Sequence, residues 1–135
     1  MLLLLAAPAC VSSPEALGAC LPNDPVLTPE VVKPGDTVRV FSDGVGAQGQ
    51  CEPELSQDAT YRVALSPMTS TGRVDLAEAT PSPDGGLDVD VTIPSDFPYG
   101  AAALDIFVDG PDLWCEVDQT VECGRSSALL EVAAD

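Results

Sequence analysis

The stretch GLDVDVTIP at 86–94 alternates cleanly. Leu87, Val89, Val91 and Ile93 share one parity, and Asp88, Asp90 and Thr92 the other. Successive side chains of a strand point to opposite faces, so the pattern predicts a strand with one buried and one solvated side. The same alternation recurs. Val38 and Val40 oppose Thr37, Arg39 and Phe41 in 37–42, and Tyr61, Val63 and Leu65 oppose Arg62 and Ala64 in 59–66. In 73–80, Val74 and Leu76 oppose Asp75. In 102–110, Leu104, Ile106 and Val108 oppose Asp105 and Asp109, with Phe107 on the outer parity. Ala128, Leu130 and Val132 read as the inner positions of 126–133, and 26–32 reads as the first strand. KPGD at 33–36 and PSPDGG at 81–86 carry turn chemistry. The pattern predicts an all-β chain: one antiparallel β-sandwich of about seven strands over 25–135.

Composition narrows this reading. The 135 residues suffice for one domain. The 13 prolines and 11 glycines are dispersed, which suits short strands and turns. Aromatics are only 4%, so the core must be built mainly from Val, Leu, Ile and Ala. Acids outnumber bases 22 to five (Lys33, Arg39, Arg62, Arg73, Arg125), for a net charge of −17. Such a surface repels phosphate backbones and anionic lipid headgroups. Nucleic-acid binding is excluded on that ground, and a membrane could be reached only through a lipid anchor.

The chain has no histidine. Ser-His-Asp and Cys-His catalysis and imidazole metal ligation fall with it. No GxSxG, P-loop or dinucleotide fingerprint occurs. The expectation is a non-enzymatic protein without a cofactor. The four cysteines downstream of Cys10 lack C-x-x-C spacing, so no zinc site is expected. Calcium is the small-ligand alternative, through the loop carboxylates Asp84, Asp109 and Asp112.

The opening MLLLLAAPAC has an apolar run of signal-peptide character, too short to span a bilayer. It lacks the basic region that normally begins such a signal, so the expectation is a remnant over 1–9. The stretch around Cys10 resembles a bacterial lipoprotein signal, in which the cysteine is acylated and the chain is cut before it. That resemblance implies lipidation of Cys10. LGAC at 17–20 makes Cys20 the rival anchor, and plain secretion with cleavage nearby is a third option. Losing Cys10 to lipid leaves an even four cysteines, which can pair, and favours Cys10. Residues 10–24 then read as a polar, Pro-bearing tether.

TPEVVKPGDTVRV and DVTIPSDFPYGAAALDIFV resemble the corners of Ig-like sandwich modules in bacterial envelope proteins. The likeness spans Pro25 to Ala133 and implies a fold rather than an activity. Tyr99 falls where such folds can brace a corner, or it is a half-buried turn aromatic. Sandwich topology places Cys20, Cys51, Cys115 and Cys123 at one end. The preferred disulfides are Cys115–Cys123 and Cys20–Cys51, among three arithmetic possibilities.

Trp114, Glu116, Asp118 and Glu122 belong to the same pole, in PDLWCEVDQTVECG. An exposed Trp114 would anchor an interaction, whereas a buried one would cover the cysteines. The functional expectation is a cell-envelope or extracellular module, lipid-anchored to the outer face of a bacterial membrane. It would present an acidic loop pole to a basic protein or a cell-wall polymer. The alternatives are a structural spacer or accessory lipoprotein without a ligand, and a calcium-binding module.

Overall fold

The structure is a computed structural model and describes residues 19–45, 59–113 and 125–134. Among these the chain forms eight strands. They are β1 (Val26–Thr28), β2 (Val31–Val32), β3 (Thr37–Ser42), β4 (Thr60–Pro67), β5 (Val74–Ala79), β6 (Leu87–Thr92), β7 (Gly100–Asp109) and β8 (Ser126–Val132). One sheet has the order β1-β3-β6 and the other β2-β8-β7-β4-β5. The fold is therefore all-β and sandwich-like, as the alternation predicts.

The expected first strand over 26–32 is in fact two strands. Val26–Thr28 pairs antiparallel with β3, and Val31–Val32 pairs parallel with β8. Pro29, between them, has no N–H to give a ladder, so the pairing breaks there and the chain crosses to the other sheet. This corrects the seven-strand, wholly antiparallel expectation.

The core sits between the inner faces. Val38, Val40, Tyr61, Val63, Leu65, Ala102, Leu104, Ile93 and Val132 are fully buried. Each fully buried Val, Leu or Ile contributes roughly 1.5–3 kcal/mol of transfer free energy. The core is aliphatic because the sequence offers few aromatics.

Three inner–outer assignments change. Val74, expected inward, is 39% exposed. The β4–β5 ladder shifts register between Val63 and Ala64, which costs edge strand β5 its parity. Asp105, expected in solvent, is only 3% exposed. Its cross-strand neighbours are Ala64 and Ser127, and Ala64 is fully buried although it too lies on the outer parity.

Tyr99 is 64% exposed, so it does not brace a corner. Tyr61 performs that role at the other end. Its ring is in the core and its hydroxyl donates to the Gly85 carbonyl at 2.7 Å. Gly85 has φ +84°, and a Cβ there would collide with the Val45 side chain. Glycine is therefore required both for backbone conformation and for space.

Burial, with help from the Asp84 carboxylate, raises the Tyr61 pKa above the ordinary tyrosine value. Folding thus favours the neutral phenol. Its contribution to stability is complete below about pH 10 and declines as pH rises from there toward the folded-state value. Tyr61→Phe should cost about 1–2 kcal/mol in urea titration at neutral pH, because the buried Gly85 carbonyl loses its donor. The same variant should lose less stability than wild type between neutral pH and alkaline pH. Equal alkaline losses in the two proteins would count against this assignment.

Candidate functional site: the loop pole and the adjoining sheet face

The antiparallel registers bring one set of strand ends together. Ser42 opposes Leu87, Thr60 opposes Asp109, and Ile106 opposes Ser126. The stems of segments 46–58 and 114–124 therefore leave from one pole, as the sandwich topology implies.

Residues 19–24 cross that pole. Ala19 bridges to Leu113 and its N–H donates to the Asp112 carbonyl at 2.9 Å. Pro22 bridges to Val45, and the Asn23 N–H donates to the Gly44 carbonyl at 2.8 Å. The Asn23 carbonyl accepts Ser42 Oγ at 2.9 Å and Ser126 Oγ at 3.1 Å. Ser42 ends β3 in one sheet and Ser126 begins β8 in the other, so one carbonyl joins both sheets. The Ser127 N–H adds a bond to Asp24 Oδ1 at 3.1 Å.

The segment expected as a tether over 10–24 is thus docked in its described part, 19–24, with Ala19, Cys20 and Leu21 buried. Its lack of periodicity concealed this, because bridge-like contacts follow no repeat. The serines did carry a signal. Ser42 and Ser126 occupy the inner parity of their strands, where a hydroxyl needs a partner.

Cys20 is 1% exposed and lies between the two bridge points, one at each loop stem. Cys10, Cys51, Cys115 and Cys123 lie outside the described residues, as do Trp114, Glu116, Asp118 and Glu122.

On the outer face of the five-stranded sheet, two guanidinium groups lie over the Phe107 ring. Arg62 is 4.9 Å and Arg73 4.8 Å from its ring centroid. Arg62 also pairs with Asp109 at 3.1 Å and with Asp75 at 3.4 Å, spanning β7 and β5. Beside this cluster is a cavity of about 400 Å³, lined by Leu21, Arg62, Asp105, Phe107, Leu113 and Arg125 among others. Asp105 Oδ1 is buried without a hydrogen-bond partner.

A second hollow, about 430 Å³, lies beside β3 and β6 with Asp43, Asp84 and Asp88 in its lining. Its acids are already engaged. Asp84 accepts Ser82 Oγ and the Gly86 N–H, which hold its carboxyl below the usual carboxylate range. Asp88 takes a two-pronged bond from Arg39 at 2.8 Å, and this guanidinium lowers its pKa in the same way. Of the calcium candidates, Asp84 is thus held within its turn and Asp109 by Arg62. Among the described residues, no three acids or cysteines gather to hold a metal ion. No described helix is long and apolar enough to cross a membrane.

No family model matches the chain, and no curated protein matches it.

Ser42→Ala and Ser126→Ala should each cost about 1 kcal/mol in urea titration. The double variant should lose more than the sum, since each serine partly covers the Asn23 carbonyl for the other. Strict additivity would show that the shared carbonyl does not couple the two sheets.

Proposed function

We propose that the protein is a non-enzymatic, Ig-like module of the bacterial cell envelope, lipid-anchored at Cys10, which uses its loop pole to bind a basic protein or cell-wall polymer. The observation that carries this reading is the clasped pole. Both sheets and both loop stems are tied there by residues 19–24, giving segments 46–58 and 114–124 a rigid base. Binding loops on a rigid scaffold are a common functional arrangement. The order β1-β3-β6 against β2-β8-β7-β4-β5, with a first strand shared between sheets, supports the Ig-like comparison. The net charge of −17 favours a cationic partner and a lipid, rather than electrostatic, route to the membrane.

Disulfides at this pole belong to the same reading. Cys20 is buried between the stem that leads to Cys51 and the stem that leads to Cys115 and Cys123. Pairing there would constrain long loops, with each bond contributing about 2–4 kcal/mol. Cys20–Cys51 and Cys115–Cys123 are the proposed pairs.

The test is intact mass of protein extracted from its native envelope, before and after reduction. The expected species begins at Cys10, carries diacylglycerol, and gains the hydrogens taken up by two opened disulfides. A lipid-free mass beginning elsewhere would overturn the anchor, and no shift on reduction would overturn the pairing. The partner arm is read separately. Immobilised protein should retain a basic polymer at low salt and release it at high salt, with Trp114 fluorescence changing on binding. No retention together with a shielded Trp114 would leave the spacer reading.

A further inference from the structure

We propose that the cavity beside the loop pole is a binding site for a primary alkylammonium group, with Asp105 as its counter-ion. The inference goes beyond the loop-pole reading and does not depend on it, because none of the residues it uses lies in segments 46–58 or 114–124.

Asp105 sits at the middle of β7, is 3% exposed, and has an oxygen with no hydrogen-bond partner. Leaving a buried carboxylate oxygen unpaired is costly, so native structures pair such groups or neutralise them. The cations nearby do not meet the need. Arg62 is committed to Asp109 through Nε and Nη2 and to Asp75 through Nη1. Arg73 rests on the Phe107 ring. Arg125 lines the cavity but is exposed, and it is not a partner of Oδ1.

The cavity then defines what could meet it. Its volume of about 400 Å³ lies in the range of small-ligand sites. Leu21, Phe107 and Leu113 give it apolar walls suited to an alkyl stem. An ammonium offers three donors on a compact charge, which suits a buried carboxylate better than a neutral hydroxyl does. Asp109 is already paired with Arg62, and Arg125 adds a cation at the exposed side of the lining, so anions are disfavoured by the buried Asp105 and by the net charge. The ammonium can arrive as a free amine or as a lysine side chain, since the chemistry recognised is the same.

The test is NMR titration of the full chain with three probes: n-butylammonium, Nα-acetyl-lysine methylamide and n-butanol. The neutral alcohol matches the first probe in shape. We expect saturable shifts at the Leu21, Ile106, Phe107 and Ser126 amides with at least one ammonium probe, at millimolar Kd. Binding of n-butanol should be at least tenfold weaker. Asp105→Asn keeps the side-chain shape, and should weaken ammonium binding at least tenfold while the spectrum remains that of a folded chain. If that variant does not fold, the ammonium-to-alcohol ratio in wild type decides. Binding by both ammonium probes, or by only one, supports the site, and a preference between them separates a free amine from a lysine side chain. No saturable shift, equal binding of alcohol and ammonium, or undiminished binding by folded Asp105→Asn would overturn it.

Discussion

The Asn23 carbonyl is the point on which the pole depends. A two-sheet structure is held in its middle by apolar contact, but at its ends the sheets diverge and side chains thin out. Here two buried serines, one from each sheet, spend their hydroxyls on a single backbone oxygen. The arrangement satisfies both polar groups and fixes the spacing of β3 and β8. It also determines where residues 19–24 lie, and so where Cys20 and Leu21 are buried. The nearby Tyr61–Gly85 bond closes the same end from inside the core. Its geometry requires a glycine, because Val45 occupies the space a Cβ would need.

The five bases show how an acidic protein uses scarce cations. Arg39 forms a two-pronged pair with Asp88 across β3 and β6 and lies over Phe41. Arg62 links β5 to β7 through two aspartates and covers Phe107 from one position. Exposed pairs of this kind are individually weak. Their effect here is local. They neutralise carboxylates beside an apolar ring and leave the remaining acids to set the long-range field. Against that background the buried, unpartnered oxygen of Asp105 stands apart.

The alternation of Leu87, Val89 and Val91 with Asp88 and Asp90 was sufficient to locate β6, and the same logic located β3, β4, β7 and β8. Period two is a direct consequence of strand geometry, so it is legible wherever one face meets the core and the other meets water. It failed where that condition failed. β5 lies at an edge beside a register shift, so Val74 is exposed. Asp105 lies on the outer parity yet is buried, because its surroundings are set by residues distant in the chain.

Alternation and composition along the chain are enough for the all-β class, the aliphatic core and the acidic surface. Each follows from local periodicity or summed composition. Tertiary packing was needed to divide the first strand between two sheets, to make residues 19–24 a clasp rather than a tether, and to have Tyr61 rather than Tyr99 brace a corner. It alone also placed a buried carboxylate against a cavity. Those outcomes depend on which distant residues share a few ångströms, and no repeat along the chain encodes that proximity.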